Sequence, residues 1–317
     1  VAELDHFVRA DVRAFLDMIE AMGRPPLHEL ALDDARLASR TMTAMADAEP
    51  HDIAVVKDLT CPGPAGHIPL RFYDTVESRE PGPVITFFHG GGFVVGSLDS
   101  YHSLCTDIAV HTGLPVVSVD YRLAPEHPFP AAPDDCEAAA RWIAASPAEL
   151  GRQVTGLITM GDSAGGNLTI VTSQSLADRP ADVPVLLQVP IYPVASPVVK
   201  HESFHAFGEG FMLTRDVMAW FTRSYGASEN DRRNYPILAD DHSTTPPTVL
   251  ITAGLDPLRD SGREYASHLV QCGIDVVYLE AQGVIHGFAN IRKAMPSVKK
   301  DMDSLYGAIK LMLERHT

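Results

Sequence analysis

The pentapeptide Gly161-Asp162-Ser163-Ala164-Gly165 separates an apolar, β-like run over residues 155–160 from a helix-like run over residues 166–177. A serine at the tip of so abrupt a strand-to-helix turn is held in a strained backbone conformation with its hydroxyl exposed. Flanking glycines let strand and helix pass closely, where a Cβ would clash. The pattern asks for an α/β architecture with chemistry at the end of a strand. An ordinary βα turn satisfies the same five residues, so the rest of the chain must decide.

A second glycine-rich turn, His89-Gly90-Gly91-Gly92-Phe93, follows the apolar run 84–88. Three consecutive glycines expose main-chain N–H groups unobstructed by side chains. Such a loop can aim two donors at a developing negative oxygen, with the Ala164 N–H as a third. A phosphate loop fits poorly. Gly91 and Gly96 have the required spacing, but Ser97 stands where lysine is needed. A dinucleotide fingerprint fails because Val95 occupies the third glycine position after Gly90 and Gly92.

A serine nucleophile needs a base, and the base an orienting acid. Run 248–253 reads as a strand ending in Gly254-Leu255-Asp256-Pro257-Leu258-Arg259-Asp260, and run 275–281 leads into Gly283-Val284-Ile285-His286-Gly287-Phe288. Ser163, Asp256 and His286 follow the serine, acid, histidine order of the α/β-hydrolases, each just beyond a parallel strand. Asp256 before proline also reads as a helix N-cap with Pro at the first helical position, and Asp260 is the rival acid. His286 is one of 14 histidines, singled out by its place after the last strand. His89 is expected to order the glycine loop through hydrogen bonds.

In combination, His89-Gly90-Gly91-Gly92, Asp120-Tyr121-Arg122-Leu123-Ala124-Pro125-Glu126, Gly161-Asp162-Ser163-Ala164-Gly165-Gly166-Asn167, Asp256-Pro257-Leu258-Arg259-Asp260 and His286-Gly287-Phe288 resemble the hormone-sensitive-lipase-like carboxylesterases, bacterial family IV. The motifs run from about residue 84 to residue 290. The resemblance implies an α/β-hydrolase fold: a mainly parallel eight-stranded sheet flanked by helices, with a helical cap. It also implies Ser163 as nucleophile, His286 as base, Asp256 as acid, and an oxyanion hole of Gly91, Gly92 and Ala164 N–H groups. Aspartate before the serine matches one subgroup, and Val284 replaces a methionine of many relatives. Short-chain acyl esters are the implied substrates, with no metal or organic cofactor. Amidase, lactonase or acyltransferase chemistry could use the same triad. Plant gibberellin receptors, which are similar but lack the histidine, represent a non-catalytic alternative.

Alternating apolar runs and helical patterns between residues 46 and 194 and between 227 and 317 predict a mainly parallel sheet with helices on both faces. Runs 53–60 and 67–74 read as antiparallel strands joined by a turn over 61–66. Residues 1–45 show helical spacing, broken at Pro25-Pro26. Segment 195–226 interrupts the βα rhythm with aromatics. By analogy with the family, these two segments form the cap, and deleting residues 1–45 should damage activity more than global fold. Phe93, Tyr192 and Phe288, with Phe211 and Leu213 from the second segment, are expected to line an apolar pocket. A homodimer through the last strand and C-terminal helix is expected by analogy.

With 317 residues and a formal charge of −16, the chain is suited neither to nucleic acid nor to anionic membranes. Cys61, Cys105, Cys136 and Cys272 show no metal spacing and read as buried or partly buried free thiols of a cytoplasmic protein.

Overall fold

The computed structural model describes residues 6–316; residues 1–5 of the expected cap lie outside the described residues. Eight strands form one sheet: β1 (Val55–Gly63), β2 (Gly66–Asp74), β3 (Gly82–Phe88), β4 (Val116–Val119), β5 (Val154–Asp162), β6 (Val185–Ile191), β7 (Thr248–Leu255) and β8 (Val276–Ile285). Their spatial order is β1-β2-β4-β3-β5-β6-β7-β8. β2 runs against both its neighbours, and the other adjacent pairs are parallel. The β1–β2 turn is tighter than expected, because pairing continues to Gly63 opposite Gly66.

Side chains alternate across a strand, so the apolar runs feed two cores. Ile85 and Phe87 of β3, with Ile158 and Met160 of β5, face helices α3 (His102–Thr112) and α9 (Lys299–His316). Val84, Phe88 and Leu157 face the opposite way, towards α4 (Ala131–Ala144) and α5 (Ala164–Asp178). Burial on both faces is why these strands read as continuous apolar runs. Helix α8 (Arg259–Gln271) adds Tyr265 and Leu269 to a smaller cluster with Ile170 and Leu250. No helix among the described residues is long and apolar enough to cross a membrane.

Four further helices lie outside this sandwich: α1 (Ala10–Met22), α2 (Leu32–Ala46), α6 (Glu202–Phe207) and α7 (Arg215–Tyr225). The N-terminal pair is less separable than expected. Val12 and Phe15 of α1 are fully or almost fully buried in the same core as Ile285 and Phe288. Arg9 donates to the Gln282 carbonyl at 2.8 Å and clamps Asp301 of α9 with two nitrogens. Loss of residues 1–45 would therefore expose the apolar surface that Val12 and Phe15 cover in the main core. Cys272 is also corrected: it is exposed, whereas the other three thiols are buried.

Phe15→Ala should cost about 3–5 kcal/mol through lost apolar transfer and the cavity left behind, read as a lower denaturant midpoint. A loss under about 1 kcal/mol would mean that α1 packs as a detachable element.

Candidate active site

Ser163 sits between β5 and α5 with φ 55° and ψ −117°, outside the usual regions for an L-residue. The geometry is locked by its N–H, which donates to the Ile191 carbonyl of β6 at 2.9 Å, and by its carbonyl, which accepts from Asn167 N–H at 3.0 Å. A Cβ on Gly165 would overlap the Phe88 carbonyl, so α5 can cross β3 this closely only with glycine there. The short sequence signal is thus a steric requirement of the turn.

Ser163 Oγ lies 2.8 Å from His286 Nε2, and His286 Nδ1 lies 2.7 Å from Asp256 Oδ2. A carboxylate only accepts, so Nδ1 carries the proton and Nε2 is left to accept from the serine hydroxyl. Asp256 is fully buried, and its other oxygen accepts the Leu258 N–H at 2.8 Å. The capping role and the histidine contact therefore coexist in one carboxylate. Pro257 precedes the helix rather than opening it, since α8 starts at Arg259. Asp260, the rival acid, is engaged elsewhere: it accepts from Ser203 N–H, Arg259 and Arg263.

The glycine loop packs beside the serine. Among the described residues, the N–H groups of Gly91, Gly92 and Ala164 have no protein acceptor, and all three residues line the cavity above Ser163. Gly90 differs. Its N–H donates to Asp162 Oδ1 at 2.7 Å, pinning the loop to the residue before the serine. Gly92 has φ 59°, and a Cβ there would run into the Phe221 ring of α7. His89 is fully buried against Tyr121, and burial pushes its pKa down. The neutral ring donates from Nδ1 to the Gly90 carbonyl at 2.7 Å, ordering the loop as expected.

Asp162 is the feature that motif reading alone undervalued. Besides Gly90 N–H, it accepts from Tyr101 OH at 3.1 Å and Tyr192 OH at 3.2 Å. Burial raises its pKa to about 6, against the opposing pull of nearby His286 and these three hydrogen bonds. The segment 120–126 acts as a second buttress. Tyr121 OH donates to the His89 carbonyl at 2.6 Å, and Ala124 N–H to the Phe93 carbonyl at 2.8 Å. Arg36 of α2 grips Glu126 with two nitrogens and also donates to the Val94 carbonyl.

A cavity of about 870 Å3 opens over Ser163 and His286. Its roof comes from both predicted cap segments: Met22, Leu30 and Met42 from the N-terminal part, Val217, Met218 and Phe221 from α7. Phe93 and Leu213 line it as anticipated, but Tyr192, Phe211 and Phe288 do not. Tyr192 turns inward, its ring centroid 4.6 Å from that of His286 and its hydroxyl on Asp162. Phe288 is fully buried edge-on to Tyr192, and Phe211 packs against buried Phe207. Tyr192 and Phe288 thus support His286 from behind.

A family model described as alpha/beta hydrolase fold matches residues 85–290, a span containing all the motifs above; the class of the protein is thereby defined. Over nearly its whole length the chain is similar to the ethyl acetate hydrolase of Pseudomonas putida, at 35% identity with 96% of this chain and 98% of the relative covered. It is 38% identical to the carboxylic ester hydrolase LipN of Mycobacterium tuberculosis, with 90% and 79% covered. Among solved structures, the ester-hydrolase EH1AB1 from the metagenome of Lake Arreo, complexed with a bipyridine phosphonate derivative, superposes with a TM-score of 0.91 at 35% identity, covering 97% and 99%. The chain belongs to the hormone-sensitive-lipase-like, family IV esterases of the α/β-hydrolase superfamily.

The raised pKa of Asp162 has a definite sign in stability. Between its unfolded value of 3.8 and about 6, the folded protein binds more protons at this group than the unfolded chain. Its contribution is therefore favourable below pH 3.8 and is lost as pH rises through 6. Asp162→Asn lacks this dependence, so the stability of the variant relative to the parent should climb from pH 4 to pH 7, by on the order of 3 kcal/mol. Denaturant midpoints at several pH values would measure it, and a difference independent of pH would refute it.

Proposed function

We propose that the protein is a carboxylesterase that hydrolyses short-chain acyl esters through an acyl-serine intermediate, with Ser163, His286 and Asp256 as the triad. The observation that carries this reading is a convergence: the hydrogen-bonded Ser163–His286 pair and three main-chain N–H groups with no acceptor among the described residues lie at one apolar cavity.

In this mechanism, Ser163 Oγ attacks the ester carbonyl while His286 Nε2 takes its proton. Asp256 holds the Nδ1 tautomer and stabilises the imidazolium. The N–H groups of Gly91, Gly92 and Ala164 receive the oxyanion, a contribution of about 2.7–4 kcal/mol for one such donor elsewhere. The His286 proton passes to the departing alkoxide, leaving an acyl-serine. Water, deprotonated by His286, then releases the acid and restores the serine.

Support for small esters comes from the ethyl acetate hydrolase relative. A volume of about 870 Å3 lies near the upper end of the roughly 300–1,000 Å3 range of small-molecule pockets, so acyl and alcohol portions can both be enclosed. Asp162 enters as a positioning residue, because it holds Gly90 and so the register of the two donors after it.

Ser163→Ala should lower kcat on p-nitrophenyl esters by about four to six orders of magnitude. A phosphonate should label the parent enzyme, and not the variant, at this serine. Parent-like turnover by Ser163→Ala would overturn the assignment. Asp162→Ala should cut kcat by about 10–100-fold with little change in KM, less than loss of a donor itself. Asp162→Asn, which still accepts from Gly90, should keep most of the rate. Equal losses in both variants would remove the positioning role.

A further inference from the structure

On the sheet face covered by α3 and α9, a cluster with no part in ester hydrolysis brings two imidazoles and one carboxylate together. Asp107 and His111 are one turn apart on α3, and His51 reaches them from the connection between α2 and β1. Their ligand atoms all lie within 4.8 Å of one another. His51 Nε2 is 3.0 Å from Asp107 Oδ1, and His111 Nδ1 is 3.4 Å from the same oxygen. Two imidazoles and a carboxylate form a donor set suited to a borderline divalent ion such as zinc.

The surroundings are those of an oriented ligand rather than a loose surface pair. Asp107 Oδ2 is occupied from the protein side, by Tyr306 OH at 2.6 Å and Arg292 Nη1 at 2.9 Å. That leaves Oδ1 turned towards the two histidines. The His51 backbone is fixed by its N–H, which donates to Thr106 Oγ1 at 3.0 Å, and the His111 ring is stacked on Tyr306. Zinc bonds of 2.0–2.2 Å in tetrahedral array separate ligand atoms by about 3.3 Å. The two measured separations bracket that value, and rotation of the exposed His51 ring can close the third. Solvent would supply the fourth position. Two interactions compete with metal: the positive charge of Arg292, itself paired with buried Asp47, and the 3.0 Å contact of His111 Nδ1 with the Asp107 carbonyl.

We propose that His51, Asp107 and His111 form a binding site for a divalent transition-metal ion, zinc by its donor set. The ion clips the α2–β1 connection to α3. Through the hydrogen bonds of Asp107, it braces α9 and the segment carrying Arg292, six residues beyond His286. Its role is structural, and hydrolysis does not need it.

The test uses untagged, chelator-treated enzyme titrated with Co2+ and Zn2+. The expected result is one Co2+ per chain, with the visible absorption of a low-coordinate Co2+ centre, and a Tm raised several degrees by saturating Zn2+. His51→Ala and His111→Gln should each weaken binding by about tenfold or more and shrink the Tm rise at a given Zn2+ concentration, while metal-free kcat/KM stays at the parent level. His51 is exposed, so His51→Ala keeps the test decisive even if His111→Gln folds poorly. Absence of stoichiometric binding, or variants binding as tightly as the parent, overturns the proposal. So does binding that inhibits hydrolysis in step with occupancy and ignores His51→Ala, since the ion would then sit on His286. Because metal affinity and ester turnover are separate readouts, failure here leaves the esterase reading standing, and failure of that reading leaves this one.

Discussion

One buried carboxylate joins the parts on which the site depends. Asp162 ends β5, accepts from the glycine loop after β3, and takes hydroxyls from Tyr101 before α3 and Tyr192 after β6. A charge held this far from water is costly unless its lone pairs are filled. Three converging donors fill them, and the arrangement is therefore highly specific about where each segment must lie. The serine turn, the glycine loop and the ring behind His286 are registered against one another by the same two oxygens.

The helices over the cavity are built in by similar means. Arg9 and Arg36 reach from the N-terminal segment to Asp301 and Glu126, and Asp47 at the end of α2 receives Arg292 through paired hydrogen bonds. With Val12 and Phe15 in the main core, the N-terminal helices are at once roof of the site and wall of the fold. Residues of both N-terminal helices and α7 line the cavity, while α1 also packs into the main core.

Most of the sheet and all three members of the Ser163–His286–Asp256 chain were legible in the amino-acid sequence, because they rest on local signals: apolar runs, glycine turns and a fixed order of residue types. Helix α3 was not anticipated. Its sequence is rich in threonine and β-branched residues, and burial on many sides leaves little periodicity to read. The anchoring of the N-terminus was equally hidden, since the partners of Arg9 lie 273 to 292 residues away. Tyr192 and Phe288 misled for a simpler reason. An aromatic residue beside a motif can support it from below as readily as line the space above, and only the backbone direction decides. At Tyr192 a φ of 33° directs the ring inward.

Phe221 rests directly on Gly92, so a side chain that lines the cavity also touches the peptide unit proposed to donate its N–H to the oxyanion. Under that proposal, reshaping the lining there to admit bulkier molecules would also loosen the backbone that holds the donor. Cavity width and the position of the Gly92 N–H are mechanically linked at this contact. Sequence drift that widens the cavity must be matched by repacking elsewhere, and helix α7 is under a constraint that its partly exposed position conceals.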